Sequence, residues 1–118
     1  MSVKPKPVHE PRACDGALRR AFDFLGKRWN GVLLGTLMRG PAGFAELRFA
    51  IDGISDSVLS GRLTELSDAG LVTRSVDPGP PVAVSYRLTE SGQALLPALT
   101  ALTKWASENL PSPGGEAA

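Results

Sequence analysis

Residues 53–74, "GISDSVLSGRLTELSDAGLVTR", decide the fold, because they carry the signals of one complete helix. Ser55 is a favourable N-cap, and Gly70 is a favourable C-terminal residue because glycine adopts the left-handed conformation without steric cost. At about 100° per residue, three leucines fall on one side of this helix: Leu59, Leu63 and Leu66. We expect that side to face the core.

The opposite side of this helix has an unusual composition. It presents only small residues, most of which can form hydrogen bonds: Ser57, Ser60, Gly61 and Thr64. A purely solvated helix gains more from Glu–Lys pairs, and small polar residues are weak helix formers. Ser and Thr hydroxyls can donate to or accept from base edges, and glycine lets a backbone come close. The strip therefore predicts a DNA contact, with a merely solvated face as the alternative.

The neighbouring segments predict a helix-turn-helix followed by a hairpin. A short helix over 44–50 and a turn at Asp52-Gly53 precede the central helix, and strands over 71–77 and 82–88 follow it around "PGPP". Two helices joined by a glycine-containing turn describe a helix-turn-helix. A hairpin directly after the second helix makes the motif winged.

Further helices lie on both sides of this motif. Periodicity predicts a helix over 15–25, capped by Asp15, a second over 29–39, and a long last helix over 89–110, capped by Thr89. We expect Pro97 either to kink this last helix or to fall in its opening turns. Gly31 and Gly35 in the second helix suggest a neighbouring backbone packed close against them. The expected fold is mainly α with a small β-hairpin (α+β), a winged helix-turn-helix that dimerises through its terminal helices.

Composition predicts one domain. The chain has 118 residues, 42% of them hydrophobic, which suits a single modest core. Residues 1–12 and 111–118 mix proline with polar or small residues and are expected to be flexible, which leaves 13–110 as the folded part. One cysteine excludes an internal disulfide, and neither a membrane span nor the apolar centre of a secretory signal is visible. We expect a cytoplasmic protein without a membrane partner.

Charge opposes the DNA hypothesis. The net charge is only +1, and residues 39–87 carry five bases against six acids. Because non-specific affinity comes mostly from phosphate neutralisation, this segment alone should bind DNA weakly. Seven of the thirteen basic residues lie between Lys4 and Arg28. If the protein binds DNA, the fold must bring basic residues together on the DNA-facing side, apart from the acidic residues. The alternative is a winged-helix module that binds protein and not DNA.

Five stretches recur in an order and spacing known from one family. They are Cys14 at the head of the first helix, "LGKRW" (25–29), "GFAELR" (43–48), the stretch 53–74, and "PPVAVSYRLTESG" (80–92). Over about residues 13–110 the chain resembles the HxlR-type bacterial winged-helix transcription regulators, relatives of the MarR group. The chain differs in having Val82 and Ala83 where the family usually has a basic residue after the double proline, and Asp15 where proline commonly follows the cysteine.

The resemblance implies a homodimeric DNA-binding regulator, with the central helix in the major groove and the hairpin as the wing. We expect a repressor, because a small dimer over a promoter blocks polymerase without an activation surface. Within the wing, Arg74 and Arg87 are the expected contacts. The full set of candidate DNA-binding residues is Lys27, Arg28, Arg48, Ser55, Ser57, Ser60, Gly61, Arg62, Thr64, Arg74 and Arg87.

Cys14 is a candidate redox sensor. In some members of the family this cysteine senses oxidants or electrophiles. A helix N-terminus and nearby Arg12 favour the thiolate, while Asp15 opposes it. The alternative is a small buried residue without regulatory chemistry.

The terminal helices are a candidate dimer interface. The predicted interface residues are Leu18, Phe22, Leu95, Leu99, Leu102, Trp105 and Ala106. The alternative is that the last helix covers only its own core. Two-fold symmetry predicts a pseudo-palindromic operator with half-sites about 34 Å apart. A small apolar ligand at this interface is a second possible effector.

Catalysis finds little support in the sequence. The single histidine, His9, lies in the N-terminal arm, and no Cys/His pair has metal-ligand spacing. We therefore expect no enzyme activity, no cofactor and no metal.

Overall fold

The computed structural model describes residues 16–112, which form six helices and two strands. In chain order these are α1 (Gly16–Leu25), α2 (Asn30–Leu37), α3 (Phe44–Ala50), α4 (Asp56–Asp68), β1 (Val72–Asp77), β2 (Ala83–Leu88), α5 (Glu90–Gln93) and α6 (Leu96–Asn109). The two strands form one antiparallel hairpin. The predicted architecture, mainly α with a small hairpin after a helix-turn-helix, is confirmed.

Helix α4 is oriented by its leucines as predicted. Leu59, Leu63 and Leu66 are at most 2% exposed and belong to the central core. They pack with buried residues of the neighbouring elements: Leu33, Leu34, Leu37, Ala42, Leu47, Ile51, Ile54, Val72 and Leu88. Burial of each large aliphatic side chain contributes about 1.5–3 kcal/mol, which exceeds the weak helix propensity of the opposite side.

Local signals set both ends of α4. The Ser55 hydroxyl accepts a hydrogen bond from the Val58 N–H at 3.2 Å, so Ser55 is the N-cap. Gly53 in the preceding turn has φ +88°, and Gly70 after the helix has φ +80°, both in the region that favours glycine. The predicted turn and the predicted helix end are confirmed.

The hairpin is tied to the helix-turn-helix through its base. Val72 pairs with Leu88 where the strands enter the core, and Asp77 pairs with Ala83 at the far end. Ala42, just before α3, exchanges two backbone hydrogen bonds with Tyr86, of 3.0 and 2.8 Å. This bridge adds a third short backbone segment to the sheet and sets where the wing stands relative to α4.

The predicted long last helix is wrong, because the chain forms two helices there. Thr89 caps α5, accepting a hydrogen bond from the Gly92 N–H at 3.1 Å, but α5 ends at Gln93. Pro97 cannot donate to the Gln93 carbonyl, and its ring would crowd that carbonyl in a continuous helix. Pro97 therefore lies in the first turn of α6, where a missing N–H costs nothing.

The expected close backbone contact at Gly31 and Gly35 is also wrong. A Cβ at Gly35 would meet no heavy atom within 4 Å among the described residues, and one at Gly31 would meet only the Leu25 carbonyl oxygen at 4.0 Å. The close approach occurs instead at buried Gly92, where a Cβ would lie 2.2 Å from the Leu71 carbonyl oxygen. Packing among residues 16–112 therefore does not offset the helix-propensity cost of the two α2 glycines.

The two sides of α4 should respond differently to truncation. We expect Leu63→Ala to lower the free energy of unfolding by about 2–5 kcal/mol, because it leaves a cavity in the core. The adjacent exposed substitution Thr64→Ala should change it by less than about 0.5 kcal/mol. Urea denaturation followed by circular dichroism measures both, and equal losses would contradict the orientation of α4.

Candidate nucleic-acid interface

The outer strip of α4 lies on the surface. Ser57, Ser60, Gly61 and Thr64 are all exposed, on the side of the helix away from the buried leucines. A Cβ at Gly61 would meet no heavy atom within 4 Å in the described part of the chain. Asp68 is exposed near the same strip, but at its C-terminal end, whereas base contacts in this motif come mainly from the N-terminal part of the recognition helix.

One flank of the strip adjoins the wing. Ser60, Thr64 and Ser67 line a shallow depression together with Arg74 and Tyr86 of the hairpin. The register explains this placement, since Arg74 pairs with Tyr86 and their side chains share one face of the hairpin. The exposed Arg74 guanidinium therefore stands beside the hydroxyls of α4.

The other flank adjoins the loop between α1 and α2. Ser57, Gly61 and Arg62 line a second depression together with Arg28 and Trp29. The Arg28 guanidinium carbon lies 4.7 Å from the centre of the Trp29 ring, a cation–π arrangement that keeps the charge in place. Two arginines distant in sequence thus stand on opposite sides of the strip.

Glu65 joins two of the candidate cations. Lys27 Nζ donates a hydrogen bond to Glu65 Oε2, and Arg62 Nη1 lies 2.7 Å from Glu65 Oε1. The Lys27 hydrogen bond lowers the pKa of the Glu65 carboxyl below its usual 4.5; partial burial opposes this, and the charges of Arg62 and Lys27 add to it. The sequence did not predict Glu65 as part of this site. Its Arg62 contact has ordinary helical spacing, but Lys27 is 38 residues away.

Two other candidate DNA-binding residues, Arg48 and Ser55, make contacts that stabilise the N-terminal end of α4. Arg48 on α3 pairs with Asp56 in the first turn of α4, where the helix dipole favours an anion. Ser55 is exposed, but its hydroxyl already accepts the capping hydrogen bond from Val58. Ser55 and the Arg48–Asp56 pair therefore mark the N-terminal end of α4, which the helix-turn-helix geometry directs toward base edges.

The structure does not bring Arg87 to this surface. Arg87 pairs with Thr73, which puts it on the other face of the hairpin from Arg74. It lines a separate depression with Met38, Pro41 and Leu96. The end of the wing carries Asp77 and a Val82 that is 68% exposed, with no cation between positions 75 and 86.

The terminal helices expose an apolar surface. Neither α1 nor α6 has a buried residue. Leu18 and Phe22 on α1 are 56% and 58% exposed, and Leu102 and Trp105 on α6 are 48% and 51% exposed. Of the other predicted interface residues, Leu95 and Leu99 pack partly against the core, and Ala106 is half-buried.

Several predictions concern residues or sites beyond these surfaces. Cys14, Arg12 and His9 lie outside the described residues. Between residues 16 and 112, no group of three or more His, Cys, Asp or Glu side chains is arranged to hold a metal ion. No helix in the same part of the chain is both long and apolar enough to cross a membrane.

Comparison with known proteins identifies the family of the chain. The family model described as HxlR-like helix-turn-helix matches residues 24–113, which include α2, the helix-turn-helix, the hairpin and α6. The chain belongs to this family. The family resemblance seen in the sequence is therefore confirmed, and the chain is a DNA-binding transcriptional regulator of the winged-helix type.

Two relatives from Bacillus subtilis (strain 168) are among the most similar proteins. The HTH-type transcriptional regulator YvaP is 43% identical over 89 residues, which are 75% of this chain and 82% of YvaP. The HTH-type transcriptional regulator YodB is 43% identical over 91 residues, which are 77% of this chain and 81% of YodB. Both match most of the HxlR-like domain, so the similarity is not restricted to one motif.

Solved structures share the fold. The reduced form of YodB superposes with a TM-score of 0.74 at 40% identity, covering 86% of this chain and 99% of that one. Diamide-treated YodB matches with a TM-score of 0.68 at 39% identity, covering 86% and 100%. The redox regulator HypR in its oxidized form matches with a TM-score of 0.75 at 30% identity, covering 81% and 99%.

Proposed function

We propose that the protein is a homodimeric repressor that inserts α4 into the major groove of a pseudo-palindromic operator. The observation that carries this proposal is the exposed strip of Ser57, Ser60, Gly61 and Thr64 between Arg28 and Arg74. The small side chains let the helix sit deep in the groove, and the hydroxyls are suited to base edges. A dimer bound over a promoter would exclude polymerase.

The two flanking arginines are the proposed phosphate contacts. An α-helix in the major groove lies between two phosphate backbones, and Arg28 and Arg74 stand on the two sides of α4. Neither arginine has a carboxylate partner within residues 16–112, whereas Lys27, Arg48 and Arg62 each contact an acidic side chain. Phosphate oxygens are therefore the partners best suited to Arg28 and Arg74.

The hairpin arginines provide a matched test of this interface. We expect Arg74→Ala to weaken binding to DNA from upstream of the protein's own gene and to lower the slope of log K against log[salt] by about 1, because one phosphate contact is lost. Arg87→Ala removes the same charge from the other face of the hairpin and should leave the slope unchanged. Fluorescence anisotropy at several KCl concentrations measures both slopes.

Two results would contradict the proposed interface. Equal losses in the Arg74 and Arg87 variants would show that the hairpin contributes only net charge. Binding by the parent protein that does not weaken with salt would favour a protein-binding module over a DNA-binding one, because phosphate neutralisation makes DNA binding salt-dependent.

The second copy is proposed to dock on the terminal helices. Leu18 and Phe22 of α1 and Leu102 and Trp105 of α6 leave about half of their surface exposed, which is typical of an interface between subunits. The proposed dimer would present two copies of α4, related by a two-fold axis, to the two half-sites of the operator. Half-sites about 34 Å apart match the spacing of one helical turn of DNA.

Charge in this surface should break the dimer. We expect Trp105→Glu to raise the dimer dissociation constant at least tenfold, since a buried large apolar side chain contributes about 1.5–3 kcal/mol and about 1.4 kcal/mol is tenfold. Thr100→Glu adds the same charge to an exposed position of α6 away from the proposed stripe and serves as the control. Sedimentation velocity measures both, and a Trp105→Glu dimer as tight as the parent would exclude this interface.

Cys14 is the proposed site of regulation by oxidants. YodB has been solved in reduced and diamide-treated forms, and HypR is a redox regulator solved in an oxidized form. Cys14 is the only cysteine in this chain, so a protein disulfide must join two subunits. Two Cys14 thiols would give up two electrons and two protons to diamide, forming one S–S bond and the reduced hydrazine.

Diamide should therefore produce a covalent dimer and weaken DNA binding. We expect a species of twice the chain mass on a non-reducing gel, reversed by dithiothreitol, and none in the Cys14→Ser variant. The variant should also keep its DNA affinity after diamide treatment, measured by anisotropy. Loss of binding in Cys14→Ser equal to that of the parent would exclude Cys14 as the sensor.

A further inference from the structure

The candidate cations around α4 divide into two groups by their partners. Arg28 and Arg74 have no carboxylate neighbour in the described segment, as noted above. Lys27 and Arg62 share the single carboxylate of Glu65. The division matters because a cation that is already paired must leave its carboxylate before it can neutralise a phosphate.

Glu65 is placed to compete with DNA for both cations. It lies on the flank of α4 beside the α1–α2 loop, with a side chain 25% exposed, while the Lys27 side chain is 49% exposed. Each carboxylate oxygen has its own cation, Lys27 at Oε2 and Arg62 at Oε1. The partners of Glu65 therefore remain accessible to solvent, and to a phosphate backbone lying along this flank.

The carboxylate stays charged over the whole neutral range. Its pKa is lowered from 4.5, first of all by the Lys27 hydrogen bond, so no proton is bound at neutral pH to weaken the two contacts. Asn30, which is fully buried, also lies against this carboxylate and supports its charged form. The carboxylate of this ion cluster is therefore charged at neutral pH.

We propose that Glu65 is a positioning residue that limits the affinity of the protein for the DNA backbone by holding Lys27 and Arg62 on the protein. The inference rests on the proposed function, because it assumes that this flank of α4 faces a duplex. Binding to DNA of random sequence is almost wholly electrostatic. Lower backbone affinity therefore reduces capture by bulk DNA and leaves more of the protein for its operator.

Removing the charge of Glu65 should release both cations to phosphates. We expect Glu65→Gln to steepen the slope of log K against log[KCl] on a duplex of random sequence by about 1–2, since each added phosphate contact contributes about 0.9. The corresponding gain in affinity near 0.1 M KCl is roughly tenfold or more. Fluorescence anisotropy between about 50 and 200 mM KCl measures both quantities.

Glu108→Gln is the matched control. It makes the same change in net charge and breaks a comparable Lys–Glu pair, Lys104–Glu108, on the exposed side of α6. Because Lys104 and Glu108 belong to α6, outside the proposed DNA-binding surface, the slope should stay at the parent value. An equal steepening in both variants would overturn the proposal, because net charge alone would then explain the effect.

The two cations themselves give an independent test that does not require Glu65→Gln to fold. If Glu65 holds Lys27, the single variant Lys27→Gln leaves Glu65 paired with Arg62 and should keep the parent slope, whereas a Lys27 bound to phosphate would lower it by about 1 when removed. Adding Lys27→Gln/Arg62→Gln to Glu65→Gln should return the steeper slope to the parent value.

The outcomes separate this inference from the proposed function. A parent protein that binds DNA with a salt-dependent affinity supports the function, whatever Glu65 does. A parent-like slope for a folded Glu65→Gln, or a slope lowered by about 1 in Lys27→Gln, overturns the role of Glu65 alone. A parent protein with no salt-dependent DNA binding would contradict the function and this inference with it.

Discussion

Burial of three leucines on one side of α4 is the constraint on which the other features of the site depend. Leu59, Leu63 and Leu66 cannot leave the core without exposing large apolar side chains, so the rotation of α4 about its axis is set. Everything on the opposite side is then presented to solvent. The wing is held by the same core, through Val72 and Leu88 at its base. The position of the recognition surface is therefore set by the packing of the leucines and the base of the hairpin in the core.

The arrangement of charge resolves the conflict between composition and function. Residues 39–87 carry more acids than bases, yet these charges are not spread evenly over the surface. Asp56 faces Arg48, and Glu65 faces Arg62, so part of the acid content is matched locally. The net charge of a segment therefore says little about its affinity for DNA, because local pairing decides which cations remain available to phosphates.

Local signals were sufficient to predict most of the fold. Caps, terminal glycines and apolar periodicity act within one or two helical turns, and they correctly predicted the helix-turn-helix and the hairpin. The disturbance at Pro97 was predicted, but not the complete break before α6, because α5 and α6 together form one amphipathic pattern. The Lys27–Glu65 contact could not be predicted, since it joins residues 38 positions apart that only tertiary packing brings together. The alternation of residues along the strands also did not show which face of the hairpin lies beside α4, and therefore which of the two arginines, Arg74 or Arg87, is close to that helix.

The small residues of the α4 strip also lower the intrinsic stability of the helix. Gly61 in the middle of a helix costs about 1 kcal/mol relative to alanine, and a Cβ there would meet no described heavy atom within 4 Å. Packing among the described residues therefore gives no reason for glycine at this position. A duplex seated against the helix would give one, because each additional side-chain atom would hold the backbone away from the base edges. Such a helix depends on the leucine contacts behind it for its stability, since its own propensity is weak. DNA recognition thus favours small residues of weak helix propensity on the exposed side of α4, and burial of the leucines on the other side supplies the stability that the helix lacks.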